Sequence, residues 1–406
     1  MSRLRLALRI VLAAFATGGV VMPASALGRS LAPPVPVLAP TPPGFVGVDT
    51  DGPLLDPASD LNLGRQLDQM VASGVESVRV AFDWAAAQPF KSSAEVPADQ
   101  ATEFTDVGGV PTEFATTDEL VGLAAQRGLT LLPTVLYAPR WDARTNRGGL
   151  STPAKTAPYA SYLTALVRRY GPHGSFWAMH PGVRKLPVRR WQIWNEPNLS
   201  YYWPQPFATR YVALLRAAHT AIRRADPGAK VVLGALTNFA WKSIGQIYRV
   251  RGARSLFDIV SVNGFTKTPS GVMLFLRIVR NALIRLGDAR RPLLATEVSW
   301  PSAQGKSPQH YDFNTTDAGQ ARNIAAVLPM LGAQRTQLRL IGFYYYTWVG
   351  AEKRRAPAFS FAGLLSLQNG RLVAKPALSA FRTGALALEH CRQKAAIASR
   401  CARPAS

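Results

Sequence analysis

Between residues 44 and 390, short apolar runs alternate eight times with amphipathic stretches. The runs lie at 44–48, 77–84, 129–136, 188–194, 230–236, 258–262, 292–296 and 338–347. The stretches between and after them have helical period, at 61–73, 117–127, 159–170, 208–225, 243–250, 272–286, 318–331 and 376–390. A parallel strand reaches its neighbour only through a crossover long enough to hold a helix, so this alternation implies a parallel sheet covered by helices. Eight units favour closure into a (β/α)8 TIM barrel, a single α/β domain, over an open sheet.

The connections give the barrel a direction. Those at 88–114, 138–158, 300–316 and 350–372 are long, and each follows a strand. Strand-to-helix loops gather on the C-terminal face of a barrel, where barrel enzymes hold their sites. Most helix-to-strand connections are short. The exception, 171–187, belongs to the opposite face and reads as structural.

The segments flanking the barrel are distinct in kind. Residues 1–26 read as a signal peptide: Arg3, Arg5 and Arg9 precede an apolar run at 10–22, too short to span a bilayer, and Ala24-Ser25-Ala26 offers a cleavage site. An uncleaved anchor is the competing reading. The expected mature protein is exported and extracellular, with no stable membrane insertion after cleavage. Residues 27–43 form a Pro-rich linker, with six prolines from Pro33 to Pro43. The tail at 391–406 holds both cysteines, Cys391 and Cys401, and in an oxidising compartment one disulfide is the simple reading. Free thiols are an alternative, and a metal pair would lack a second pair of ligands nearby.

The formal net charge is +23, which raises the question of a polyanionic partner. Its arginines run from Arg3 to Arg403 with only short clusters, among them Arg189-Arg190 and Lys353-Arg354-Arg355. A nucleic-acid groove needs them on one face with interleaved aromatics, and that pattern is missing. No nucleic-acid partner is expected. An acidic polysaccharide remains open.

In a chain with only 24 acids, two glutamates stand out by context. Trp191-Gln-Ile-Trp-Asn-Glu-Pro-Asn198 is a buried-strand sequence that Pro197 cannot extend, so Glu196 sits where the fourth strand gives out. Leu293-Leu-Ala-Thr-Glu-Val-Ser-Trp-Pro301 repeats the setting, with Glu297 closing the seventh strand. Two carboxyls facing one barrel mouth suit sugar-bond hydrolysis. One must hold a proton for the leaving oxygen and the other must stay ionised, a split that environment imposes on their pKa values.

With these residues in hand, the chain resembles the clan A glycoside hydrolases, especially their β-xylosidase/iduronidase and cellulase-like branches. The resemblance rests on Trp194-Asn-Glu-Pro-Asn198 followed by Tyr201-Tyr202-Trp203, on Ala295-Thr-Glu-Val-Ser-Trp-Pro301, and on Ser77-Val-Arg-Val80 and Tyr346-Thr-Trp348. The closing Gly363-Leu-Leu and Lys375-Pro-Ala-Leu-Ser-Ala-Phe381 belong to it too. It covers residues 44 to 390.

The resemblance implies a retaining hydrolase acting on a β-linked carbohydrate, with no cofactor. Glu196 would be the general acid/base and Glu297 the nucleophile, with carboxyls about 5–5.5 Å apart. Asn195 would bond the sugar 2-hydroxyl, and Arg79 would keep Glu297 ionised and oriented. Trp348 would floor the cleavage subsite. Tyr137, Trp141, Tyr202, Trp203 and Trp300 would flank it as sugar platforms.

At the sixth strand the chain departs from that pattern. Many clan members carry a His or Tyr there, whereas Val262-Asn-Gly-Phe265 supplies Asn263, which donates a hydrogen bond but cannot titrate, and Phe265, which has no hydroxyl. The five histidines show no metal-binding spacing, and no Gly-x-Ser-x-Gly elbow occurs. A non-catalytic carbohydrate-binding barrel and a transglycosylase using the same intermediate are the alternative readings. Exo or endo action turns on the loops at 88–114 and 301–316.

Overall fold

The structure, a computed structural model, describes residues 40–146 and 149–402. The signal peptide and all but the last residues of the Pro-rich linker lie outside them. Eight parallel strands follow in chain order: β1 (Val46–Asp49), β2 (Ser77–Asp83), β3 (Thr130–Leu136), β4 (Arg190–Asn195), β5 (Lys230–Ala235), β6 (Val260–Asn263), β7 (Leu293–Val298) and β8 (Leu340–Tyr345). They pair sequentially, β8 returns to β1, and bridges Val232–Ile259 and Leu236–Val262 join β5 to β6. The barrel is closed.

Each strand is followed by its helix: α1 (Leu63–Ala72), α2 (Ala115–Gln126), α3 (Thr156–Tyr170), α4 (Ala208–Ala225), α5 (Ala240–Arg249), α6 (Pro269–Arg285), α7 (Asp317–Leu338) and α8 (Pro376–Leu388). Side chains start several of them. Asn62, Thr268 and Thr316 each accept a backbone N–H in the first turn, and Pro269 and Pro376 open α6 and α8. None of the described helices is long and apolar enough to cross a membrane.

Strand faces divide the core. Outward residues such as Trp191, Ile193 and Val231 pack under the helices, while Leu132, Val232, Ile259, Leu294 and Tyr344 form a separate inner layer. On β1 a Cβ at Gly47 would meet the Tyr344 ring at 2.4 Å, so only glycine lets that ring into the barrel. Tyr344 then hydrogen-bonds Ser77 on β2 at 2.9 Å.

The structure differs from the expected elements mainly outside the barrel. The loop at 88–114 holds a hairpin, Phe104–Val107 with Val110–Glu113, turned on Gly108 and Gly109 at φ 64° and 87°. The loop at 350–372 overlaps another, Leu365–Gln368 with Arg371–Ala374, turned on Asn369-Gly370. Helix α7 runs seven residues beyond 331, through Pro329, to Leu338, so Arg339 alone separates it from β8.

Beyond α8, Cys391 and Cys401 form a disulfide. The loop it closes docks at the N-terminal end of the strands. There Lys394 is buried against Glu389 and, at 3.3 Å, Glu76 beside β2, and the Ala398 N–H bonds the Arg127 carbonyl at 2.8 Å. At the other end of the described chain, Thr41 hydrogen-bonds the last turn of α8.

Candidate active site

Both glutamates sit just past a break in strand regularity. On β4 the alternation fails at Trp194, whose φ of 67° turns its ring outward onto Trp203. Asn195 and Glu196, adjacent in sequence, then both line one cavity. Such a φ is strained for a bulky residue, and strain of this kind persists only where the surroundings over-determine it. On β7 the register against β6 skips a residue, pairing Val262 with Ala295 but Asn263 with Glu297. The extra residue, Thr296, is the device by which a bulge re-aims a side chain.

Arg79 on β2 joins these ends. Its Nη1 donates to Glu297 Oε1 at 2.8 Å and also to Asp49 Oδ2 at the end of β1. Nη2 donates to Asn195 Oδ1 at 2.9 Å, and Nε to Gln192 Oε1 at 3.1 Å. Burial works against its charge, but Asp49 and Glu297 outweigh that and hold the guanidinium protonated. Because Arg79 only donates, it fixes the Asn195 amide with oxygen inward and leaves the NH2 to donate elsewhere.

Glu196 has a different partner. Its Oε1 accepts from Asn263 Nδ2 at 2.8 Å, and Asn263 Oδ1 accepts from the Thr296 hydroxyl at 2.9 Å. Burial pushes its carboxyl up to about 7, against the smaller opposing pulls of Asn263 and Arg79. Burial likewise raises Glu297 well above the usual carboxylate range; Arg79 opposes, while Glu196, Asp49 and Asp51 add to the rise. Asp49 is pushed up to about 6, again by burial first. Burial thus raises three of the carboxyls around this guanidinium, Asp49, Glu196 and Glu297. Glu297 accepts a charge-assisted bond and Glu196 only a neutral amide's, so the proton of that pair belongs on Glu196.

Among the residues expected to bind substrate, Asn195, Arg79, Tyr137 and Tyr202 line the cavity with both glutamates. Asn263 reaches it through Glu196. Four tryptophans do not, and for them the expectation is corrected. Trp348 is fully buried and donates to Gln66 on α1 at 3.0 Å, so it packs behind the barrel. Trp300 is buried and bonds the Thr266 carbonyl at 2.7 Å. Trp203 fills the space between Trp194 and Tyr211. Trp141 lies against Trp84 and bonds the Gln88 carbonyl at 2.8 Å. The indole N–H groups of Trp348, Trp300 and Trp141, held by protein in this way, serve packing.

The aromatic lining comes from elsewhere. Phe265 after β6, Tyr311 and Phe313 after β7, and Tyr346 and Phe359 after β8 form one wall. Phe265 touches Phe313, Tyr346 and Phe359 at ring-centroid distances of 5.5, 6.0 and 5.0 Å, and Tyr311 stacks on Phe313 at 4.9 Å. From this wall the Tyr346 hydroxyl donates to Asp51 at 2.6 Å, and the Asp51 N–H donates to Asp49 at 2.7 Å. The cavity holds about 300 Å³. The sequence singled out neither Asp49 nor Asp51, and of the wall it singled out only Phe265 and Tyr346, neither as a sugar platform.

Fold and cleft together define a closed (β/α)8 barrel with an acidic, aromatic-walled site on the C-terminal face of its strands. That fold is the one expected from the resemblance to clan A glycoside hydrolases. It is shared with a monomeric β-xylosidase from Caulobacter crescentus CB15, at TM-score 0.61 and 19% identity over 85% of this chain and 69% of that one. A family 53 glycoside hydrolase catalytic domain from Ignisphaera aggregans has TM-score 0.55 and 18% identity, over 85% and 98%. The exo-β-1,4-mannosidase Op5Man5 from Opitutaceae bacterium strain TAV5 has TM-score 0.56 and 16% identity, over 85% and 60%. No family model matches the chain, and no curated protein sequence matches it.

Proposed function

We propose that this protein is a secreted, retaining glycoside hydrolase acting on β-linked sugars. One observation carries the reading: Glu196 and Glu297 line one cavity, the first bonded to a neutral amide and the second to a guanidinium. In the first step Glu196 gives its proton to the glycosidic oxygen while Glu297 attacks the anomeric carbon. The bond to the leaving sugar breaks, and a glycosyl ester on Glu297 forms. In the second step Glu196, now ionised, takes a proton from water. The hydroxide adds to the anomeric carbon, the ester bond breaks, and the configuration is retained after two inversions. The Asn195 NH2 donates to the sugar during both steps, and Arg79 steadies the Glu297 charge before attack and as it returns.

Aryl β-glycosides test this directly. Wild type is expected to hydrolyse at least one of a panel of xylosides, glucosides, mannosides and galactosides, and Glu297→Gly to lose that activity and regain it with azide as external nucleophile. Full activity in Glu297→Gly without azide would overturn the assignment. Export is supported by the 1–26 segment, and N-terminal sequencing of protein from the culture medium should begin at Leu27.

A further inference from the structure

The loops after β7 and β8 build two depressions that share one wall. Phe359 faces the catalytic cavity, while Phe361, two residues on in the same 3-10 turn (Ala358–Phe361), lines a second groove. Likewise Tyr311 and Phe313 face the cavity, and Lys306 and Ser307 the groove. Four residue steps lead from Arg355 to Phe359, at most about 14 Å of extended chain.

The two depressions have opposite charge. In the cavity Asp49, Asp51, Glu196 and Glu297 surround Arg79 alone. The groove is lined by Lys306, Lys353, Arg354 and Arg355, with Glu352 as its one acid. Glu352 is already engaged by Lys375 at 2.8 Å, and Lys306 by Asp317 at 2.8 Å. Among the described residues no acidic side chain pairs with Lys353, Arg354 or Arg355, and all three are exposed. Three adjacent cations on the rim of an active face, left without counter-charges, attract anionic groups on a bound chain. The acid-lined cavity repels the same groups.

We infer that the substrate is a β-linked polysaccharide bearing carboxylate substituents, cleaved at an uncharged sugar while a substituent beyond the cleavage point rests in the Lys353–Arg355 groove. The inference rests on the hydrolase reading above. It locates the specificity in a surface that the catalytic chemistry does not use.

The test measures binding of Glu297→Gln protein, which cannot turn over, to glucuronoxylan and to the same polymer after its carboxyls are reduced to alcohols. Affinity electrophoresis at low and high salt gives both constants. The charged polymer is expected to bind on the order of tenfold more tightly at low salt, with the difference fading as salt screens it. Lys353→Ala/Arg354→Ala/Arg355→Ala should abolish the preference and leave aryl β-glycoside hydrolysis unchanged in the otherwise wild-type protein. Arg168→Ala/Arg216→Ala/Arg224→Ala removes the same charge from the outer face of α3 and α4 and should keep the preference. Equal binding of the two polymers, binding of neither, or a preference that survives the groove variant would overturn the inference. Aryl glycoside hydrolysis alongside any of those outcomes would leave the hydrolase reading standing.

Discussion

Asp49 and Glu297 accept from the same nitrogen of Arg79. One guanidinium edge therefore serves two carboxylates from strands on either side of β8, and each acid raises the proton affinity of the other. The expected nucleophile is not simply neutralised by an arginine. It shares that arginine with a competitor.

Removing the competitor should sharpen Glu297. In Asp49→Asn the amide carries no charge, one contribution that raises the Glu297 pKa disappears, and Nη1 is left to a single carboxylate. The acid limb of the kcat/KM–pH profile, which reports ionisation of the nucleophile, should move to lower pH. A limb that stays in place or moves upward would show that Asp49 does not govern Glu297.

Asn263 tunes the other glutamate in the opposite sense. Its N–H stabilises ionised Glu196 and so lowers a pKa that burial has lifted to about 7. Asn263→Ala should let that pKa rise, shifting the basic limb of the profile upward while the acid limb holds. A downward shift of the basic limb, measured on the same aryl glycoside, would refute the assignment of Glu196 as the group that must be protonated.

The buried acid also carries a stability signature. The folded pKa of Glu196, about 7, lies above its ordinary value of 4.5. Its favourable contribution is thus fully present below pH 4.5 and lost as pH rises through 7, on the order of 3 kcal/mol across that window. Glu196→Gln has no such titration. Its melting temperature should match wild type near pH 4.5 and exceed it at pH 8, although the variant is catalytically crippled. Parallel melting curves across that range would show that Glu196 does not titrate in the window.

How much of this was legible in the sequence follows from the kind of signal each part leaves. Strands and helices announce themselves by period, so the barrel, its direction and the strand-end glutamates could be read. Arg79 was readable as a charge inside an apolar strand. Asp49 was not, because Asp49-Thr-Asp-Gly-Pro53 has the composition of a turn, and only the register of β1 against β2 sets Asp49 opposite Arg79. The hairpins carried Gly108-Gly109 and Asn369-Gly370 as turn signals, which the lengths of their loops obscured. The aromatic wall left no local signal. It collects residues from three loops whose proximity is purely tertiary. Trp348 misled for a related reason: a strand-end tryptophan can face the cavity or the helices, and here Tyr346 takes the cavity while Trp348 takes α1.

That exchange of roles gives a paired measurement. Phe265 joins three other rings of the cavity wall, so Phe265→Ala opens the wall where a sugar face would lie. It should lower kcat/KM by roughly tenfold or more, chiefly through KM, with a smaller effect on melting. Trp348→Phe removes a fully buried indole and strands the Gln66 carbonyl, with no change in the cavity lining. It should cost about 1–3 kcal/mol of stability and leave KM where it was. If Trp348→Phe instead raised KM as far as Phe265→Ala did, the tryptophan would have to reach the substrate after all, and the cavity wall described here would be the wrong one.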